Sequence, residues 1–253
     1  MDTAPGSAVE QEDQYWRRNL AVCLIGSFTT IVAMTLLLPF LPVYIAELGV
    51  TDQAAIAQWS GIAFGATFFS AALVAPFWGW MADRFGRKLM LVRASLGMAI
   101  AMSLMGMAHN VYELVGLRLF AGFAGGYSSG ATILVATQTP KRRTGWALGM
   151  LRSGILAGSL VGPLLGGTLP PLIGIRGTFW IAGAAIFLAF LATTFLIKEE
   201  KRSALTKKAA VEANWSQISD KRPVVAALAI GMLLTFANMS IEPIRLTTRL
   251  RRQ

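Results

Sequence analysis

The chain has 253 residues, of which 55% are apolar and only 14% are charged. A water-soluble globule of this composition would expose too much apolar surface, so an integral membrane protein is indicated. The formal net charge of +10 could suggest a nucleic-acid partner. The basic residues lie in short segments between apolar runs, however, and not on one aromatic-rich face. We therefore expect the lipid bilayer as a partner and no nucleic acid.

The first 45 residues predict a cytosolic tail followed by a membrane helix. Residues 1–18 are polar and acidic and end in an aromatic and basic anchor. The apolar run 20–45 is too long for the core of a signal peptide and lacks a small-residue cleavage site after it, so it predicts an uncleaved first helix. Pro39 and Pro42 lie near its far end, where we expect either broken backbone that lines a cavity or a simple kink.

Five more apolar runs complete a predicted six-helix transmembrane domain over residues 19–197. Their ranges are 56–81, 89–108, 114–138, 146–172 and 178–197. A hydrophilic cytosolic loop is predicted at 198–223, a seventh transmembrane helix at 224–241 and a basic tail at 242–253. The fold class is thus an all-α integral membrane protein.

The distribution of lysine and arginine predicts the orientation. These residues cluster in segments on one side of the membrane, while Arg176 is the one that falls in the links between helices 1 and 6 on the other side. Because positively charged loops stay in the cytosol, the amino terminus and the loop 198–223 are predicted to be cytoplasmic. Arg93, one turn inside the third helix, can snorkel back to the same side.

The turn between the second and third predicted helices carries a charged cluster. Asp83 lies one helical turn before Arg87, within pairing distance, and Gly86 permits the positive φ of a tight reversal. Gly79 would let a neighbouring helix approach closely. An ordinary positive-inside loop would explain the basic residues but neither Asp83 nor the glycines. We favour a specific functional loop, whose members are Gly79, Asp83, Arg84, Gly86, Arg87 and Lys88.

This spacing resembles the Gly-x-x-x-Asp-Arg-x-Gly-Arg-Arg/Lys signature between helices 2 and 3 of the major facilitator superfamily. The resemblance implies a gating loop, in which the aspartate latches against helix 11 of a second half and closes the cytosolic side. It also implies the amino-terminal six-helix bundle of that fold, an inverted 3+3 repeat, here with a seventh helix. Helix 11 is not in the sequence, so a truncated half-transporter is expected, with the carboxy-terminal half as its missing partner.

A charge inside the fourth predicted helix is the second functional signal. Arg118 lies one turn into the membrane, where a charge is costly and is usually kept for function. The sequence around it resembles the Arg-x-x-Gln-Gly signature of proton-coupled members, with Ala121 in place of the glutamine and Gly122 after it. The resemblance implies a role in proton coupling at the cavity; pairing with a lipid phosphate is the alternative. Arg152 in the fifth helix is a second candidate, although it could snorkel to the cytosol.

Glycines at every fourth residue of the fifth predicted helix form a groove without side chains, against which a helix can pack closely. Pro163 removes one backbone hydrogen bond and bends the helix. This run resembles the Gly-x-x-x-Gly-Pro-x-x-Gly-Gly signature that marks exporters, particularly drug/proton antiporters, and the family packs it against helix 8 of the second half. The motif residues are Gly154, Gly158, Gly162, Pro163, Gly166 and Gly167.

The resemblance to the multidrug-efflux branch of the superfamily implies efflux of drugs or amphipathic organic compounds in exchange for protons. The expected location is the bacterial inner (plasma) membrane. The predicted helices 1 to 6 hold no carboxylate in their interiors, since Glu47 and Glu113 lie at the outer edge, so proton coupling rests on the resemblance. A sugar or metabolite transporter of the same superfamily and a non-transporting membrane fragment are the alternatives.

Enzyme activity is not expected, because no nucleophile, base or metal-ligand arrangement is present in the sequence. Cys23 is the one cysteine and His109 the one histidine. Cys23 lies in an apolar run and is interpreted as a packed small hydrophobe. We therefore predict no cofactor and no metal.

Overall fold

The computed structural model describes residues 6–198, with the side chains of residues 15–198, and the regular structure of this part of the chain is α-helical. The helices are α1 (Gly6–Thr35), α2 (Leu41–Glu47), α3 (Gln53–Phe85), α4 (Arg87–Met105), α5 (Val111–Ala124), α6 (Tyr127–Gln138) and α7 (Thr144–Leu196). The all-α fold is as predicted. The seventh helix predicted at 224–241 and the tail 242–253 lie outside the described residues, as does the loop 198–223 after Lys198.

Five stretches of these helices are long and apolar enough to cross a bilayer. They are Tyr15–Thr35, Gln53–Phe85, Arg87–Met105, Val111–Gln138 and Thr144–Leu196. The last of them contains both the fifth and the sixth predicted helices. Gly174 separates the two, because its backbone is not helical and its φ is 77°. This break agrees with the boundary predicted between residues 172 and 178.

The first predicted helix is interrupted near its prolines. α1 ends at Thr35, a turn follows over residues 36–40, and α2 begins at Leu41. Pro42 occupies the first turn of α2, where a missing backbone N–H breaks no helical hydrogen bond. The short helix is held inside the domain by Tyr44, whose hydroxyl donates to the carbonyl of Met105 at 2.6 Å. The helix is therefore interrupted between α1 and α2.

The fourth predicted helix is also interrupted, and the prediction of one continuous helix over 114–138 was wrong. α5 ends at Ala124 and α6 begins at Tyr127. Between them, Gly125 is extended and Gly126 has a φ of 103°, in the left-handed region that favours glycine. Two consecutive glycines allow this change of direction at little steric cost.

Buried side chains form two apolar clusters, and α3 contributes little to either. One cluster includes Leu37, Tyr44, Met102 and Phe179. The other lies around Trp16, Leu91, Tyr127 and Leu151. The fully buried residues of α3 are Ala63 and Thr67. Most of the apolar surface of α3 is therefore left for lipid or for a further protein surface, which a membrane helix tolerates because its solvent is itself apolar.

Asn19 connects α1 with two helix ends on one side of the domain. Its side chain is 3% exposed. Its Nδ2 donates to Gln138 Oε1 at the end of α6, at 2.6 Å, and to the carbonyl oxygen of Lys198, at 2.8 Å. The backbone N–H of Lys198 donates to Asn19 Oδ1 at 3.2 Å. One buried amide thus connects α1 with the carboxyl ends of α6 and α7.

Replacing Asn19 should therefore destabilise the domain. We expect Asn19→Ala to lower the free energy of unfolding by about 1–3 kcal/mol, because buried partners lose their hydrogen bonds. The measurement is the midpoint of thermal unfolding in detergent. Ser153→Ala is the control, since the exposed Ser153 hydroxyl bonds only the carbonyl of Gly149 in its own helix. Equal midpoints for the two variants would contradict this assignment.

Candidate functional site

The loop between α3 and α4 has the local geometry that the sequence predicts. Arg87 Nη2 lies 3.7 Å from Asp83 Oδ1. Gly86 adopts a φ of 99°, and its N–H donates to the carbonyl of Ala82 at 3.1 Å. The predicted ion pair and positive φ are confirmed. The Asp83 side chain is 69% exposed, whereas that of Arg87 is 17% exposed, so the carboxylate can accept a further donor.

The other three members of the loop, Gly79, Arg84 and Lys88, have different surroundings. A Cβ atom built on Gly79 would meet no described atom within 4 Å. Among the described residues no helix packs closely on Gly79, and its close contact with a further helix stays a prediction. The guanidinium of Arg84 lies 5.4 Å from the ring centre of Trp80, so it covers the exposed surface of its own helix. Lys88 follows the reversal, in the first turn of α4.

Arg118 is buried inside the helical domain. Its side chain is 2% exposed, and its Nε and Nη2 have no hydrogen-bond partner among the described residues. This burial argues against the alternative in which the guanidinium binds a lipid phosphate. A charge in the interior of a membrane domain normally binds a partner or faces a water-filled cavity. Arg118 therefore offers donors to a group that the described residues do not supply.

Near Arg118, α5 packs closely against α3. A Cβ atom on Gly122, one turn after Arg118, would collide with the carbonyl oxygen of Thr67 and would lie 3.0 Å from Ser70 Cβ. Only glycine permits this approach. The Thr67 hydroxyl is also buried and without a partner in the described part of the chain. Arg152 differs, because it is exposed on α7, so the structure does not bring it into the buried site.

Arg93 binds backbone at the break between α5 and α6. Its Nη2 donates to the carbonyl oxygen of Gly125 at 2.9 Å, and its Nη1 to that of Phe123 at 3.2 Å. Its guanidinium lies 3.6 Å from the ring centre of Trp78, and Trp78 Nε1 donates to Phe123 at 2.8 Å. Helix ends leave carbonyls without intrahelical partners, and two side chains from α4 and α3 satisfy them here. The prediction that Arg93 snorkels to the cytosol was wrong.

Sequence reasoning missed this arrangement because its parts are far apart. The glycine pair at 125–126 was a visible signal for a helix break, and a break in a membrane requires donors for its carbonyls. Nothing in the local sequence shows that Arg93 and Trp78 are those donors.

The glycine stripe of α7 packs against α1. A Cβ atom built on Gly158 would lie 2.9 Å from the carbonyl oxygen of Phe28, and one built on Gly162 would lie 2.9 Å from that of Val32. Backbones approach this closely only where no side chain separates them. Pro163 follows inside α7. The described residues thus place α1 in the groove. Packing of the glycine motif against a helix of a second half stays a prediction.

The two ends of the glycine motif differ. A Cβ atom on Gly154 would collide with the side chain of Leu24, and one on Gly166 would lie 2.9 Å from the Pro39 ring. Gly167, by contrast, has no described atom within 4 Å of such a Cβ. The groove therefore covers four glycines and receives the broken end of the first helix, while Gly167 lies outside it.

The comparisons with known proteins agree with this architecture. The sequence pattern of the Major Facilitator Superfamily matches residues 23–249. The fold and the match define a multi-pass membrane protein of the transporter class. The chain belongs to the Major Facilitator Superfamily, as predicted.

Its relatives include the Multidrug resistance protein MdtG of two bacteria. The protein of Proteus mirabilis is 42% identical, and the match covers 90% of this chain and 57% of the relative. The protein of Escherichia fergusonii is 44% identical, and the match covers 90% of this chain and 56% of the relative. The chain thus spans somewhat more than half the length of these curated relatives.

Solved structures with the same fold include two transporters. The human organic anion transporter MFSD10 (TETRAN) matches with a TM-score of 0.62 and 22% identity, covering 73% of this chain and 48% of its own. The peptide transporter POT matches with a TM-score of 0.56 and 18% identity, covering 88% of this chain and 50% of its own. At these identities the two structures show the shared fold.

Filling the groove should destabilise the domain. We expect Gly162→Leu to lower the free energy of unfolding by about 1–3 kcal/mol or more, because the side chain would meet α1 backbone. The matched control is Gly167→Leu in the same helix, where a side chain meets open space. Thermal unfolding of both variants in detergent makes the comparison. If Gly167→Leu destabilised the protein as much as Gly162→Leu, the close packing would be incidental.

Arg93→Lys should loosen the helix break while keeping the charge. A lysine ammonium lacks the planar fork that reaches two carbonyls and stacks on Trp78. We expect backbone amides around residues 121–130 to exchange hydrogen about tenfold faster, in keeping with the loss of a charged hydrogen bond. Arg152→Lys, at an exposed position, is the control and should leave exchange unchanged. Hydrogen exchange followed by mass spectrometry tests this, and unchanged protection in Arg93→Lys would contradict it.

Proposed function

We propose that this chain forms part of a proton-driven exporter of drugs or other amphipathic organic compounds. The observation that carries the proposal is 42–44% identity to Multidrug resistance protein MdtG over 90% of the chain. The proposed location is the bacterial inner membrane, with the amino terminus in the cytoplasm, where positively charged segments remain. The chain acts in transport and not as an enzyme.

Arg118 is the proposed coupling residue. Its guanidinium is buried, always charged and rich in donors, so it can hold a carboxylate, a substrate oxygen or ordered water inside the domain. In residues 15–198 the carboxylates lie at or near helix ends, at Glu47, Asp52, Asp83 and Glu113. A carboxylate partner for Arg118 inside the membrane must therefore come from outside these residues. A proton arriving on such a carboxylate would weaken its pair with Arg118 and link protonation to conformation.

The α3–α4 loop is the proposed gate. Asp83 is paired with Arg87 within its own chain but remains largely exposed, so a donor from a second half can bind it and be released. Ion pairs that are partly exposed have small net energies, about 0–1 kcal/mol, which suits a contact made and broken in each transport cycle. The proposed members of the loop are Gly79, Asp83, Arg84, Gly86, Arg87 and Lys88.

The required experiment is dye efflux from cells that lack their own multidrug exporters. The chain is expressed alone and together with the remaining carboxy-terminal part of an MdtG relative. Substrate sites in this fold lie between two halves near the bilayer midplane, so efflux is expected only from the pair and only with a proton gradient. Efflux by the chain alone at the rate of the full-length relative would overturn the proposal. Uptake of a sugar by the pair, without dye efflux, would favour the metabolite-transporter alternative.

Substitution of Arg118 tests its role in the same assay. Arg118→Ala should reduce gradient-driven efflux at least tenfold while the protein remains inserted, and Arg118→Lys should restore it only in part because a point charge lacks the guanidinium fork. Arg152→Ala is the matched control, since Arg152 is exposed. Immunoblotting of membranes confirms equal insertion. Unchanged efflux in Arg118→Ala would reduce Arg118 to a structural residue.

A further inference from the structure

A groove of about 550 Å³ lies between the amino-terminal part of α1 and the start of α7. Its lining residues are Trp16, Arg17, Leu20, Ala21, Leu24, Arg143, Trp146 and Met150. We call this the α1–α7 groove. Two of these residues are cationic, none is acidic and the others are apolar or aromatic. The proposed gate and the environment of Arg118 do not include any of them.

The two positive charges lie close to one aromatic ring. The guanidinium carbon of Arg17 is 5.6 Å from the ring centre of Trp16, and that of Arg143 is 6.0 Å from the same centre. Trp16 is 4% exposed, so the ring is a fixed platform. Arginine is attracted to the face of an aromatic ring, so both guanidinium groups are held near Trp16. A bound anion would accept charge-assisted hydrogen bonds from them.

The rest of the groove suits a hydrocarbon chain. Leu20 is buried, Leu24 is half-buried, and Met150 on α7 is 43% exposed. Trp146 is 61% exposed at the same place. An acyl chain lying along such a surface gains short-range packing contacts with these side chains. The chemistry that fits the whole groove is therefore an anionic head attached to an apolar chain.

The position of the groove relative to the bilayer favours a lipid over a soluble anion. Arg17 and Arg143 lie in the segments on the lysine-rich and arginine-rich side of the membrane. Tryptophan is enriched where headgroups meet hydrocarbon, and basic pockets between helices on the cytoplasmic side bind anionic headgroups. A free phosphate could use the two arginines but would leave the apolar lining uncovered.

We propose that the α1–α7 groove binds one anionic phospholipid. Its phosphate lies between Arg17 and Arg143, and one acyl chain lies along Leu20, Leu24 and Met150. The lipid would connect the same two helices that pack through the glycine stripe. This assignment does not depend on which substrate the protein transports.

The test uses the full 253-residue chain purified in a neutral detergent. Native mass spectrometry measures the apparent Kd for phosphatidylglycerol and for phosphatidylcholine with the same acyl chains. Phosphatidylglycerol should bind at least tenfold more tightly. Equal affinities for the two lipids would overturn the proposal.

Two double variants, each lacking two positive charges, test whether lipid binding depends on the arginines of the α1–α7 groove. Arg17→Gln/Arg143→Gln should weaken phosphatidylglycerol binding about tenfold. Lys141→Gln/Arg142→Gln, which removes the same charge from the neighbouring exposed loop, should change it less than twofold. Equal losses in both double variants would mean that general surface charge binds the lipid, which would also overturn the proposal. Circular dichroism and gel filtration check that each variant is folded.

A third variant tests the apolar lining of the α1–α7 groove independently of the two arginines. Ala21→Phe fills the lining at an exposed position while both arginines remain, and it should weaken phosphatidylglycerol binding at least fivefold. Glycerol phosphate, which has the headgroup chemistry but no acyl chain, should compete poorly. Unchanged lipid binding in Ala21→Phe, or competition by glycerol phosphate at concentrations similar to the lipid, would assign the arginines to a simple phosphate site and contradict the lipid assignment.

Discussion

The close approach of the α1 and α7 backbones is the contact on which the rest of this domain depends. Apolar side chains gain little by leaving lipid for protein, so membrane helices associate through short-range packing and hydrogen bonds. Four glycines of α7 provide that packing against α1. The same helices are joined at one end by the buried amide of Asn19, and Pro39 packs on Gly166 beside the break that follows α1. A motif associated with exporters is therefore also the main internal contact of the described part of the chain.

Two arginines lie within the membrane-spanning helices, where a charge is costly, and they differ in their hydrogen-bond partners. Arg93 is satisfied by carbonyls that the break between α5 and α6 leaves without helical partners, and Trp78 covers its guanidinium. Arg118 is more deeply buried, and the described residues provide no acceptor for its Nε and Nη2. The first charge stabilises an irregular backbone. The second has donors for a partner outside the described residues, which the proposed coupling role requires.

The chain spans somewhat more than half the length of its curated relatives, and its surface has features that a second half would explain. α3 buries few of its residues, Asp83 is exposed, and Gly79 has no described neighbour. In a bilayer such a face is compatible with lipid, so exposure by itself does not require a partner. The proposed gate would account for the exposure of Asp83, because a residue that binds a second half must be accessible to it.

The sequence by itself determined the class, the superfamily, the all-α fold and the local geometry of the α3–α4 loop. Those properties depend on composition and on neighbouring residues: Gly86 permits a positive φ, and Arg87 lies one turn from Asp83. Only the tertiary structure decided that α1 fills the glycine groove, that Arg93 binds the broken end of α5, and that Arg118 is buried while Arg152 is exposed. A glycine stripe or an arginine specifies what kind of partner it can accept, but the partner's identity depends on which helices become neighbours, and residues distant in the sequence decide that.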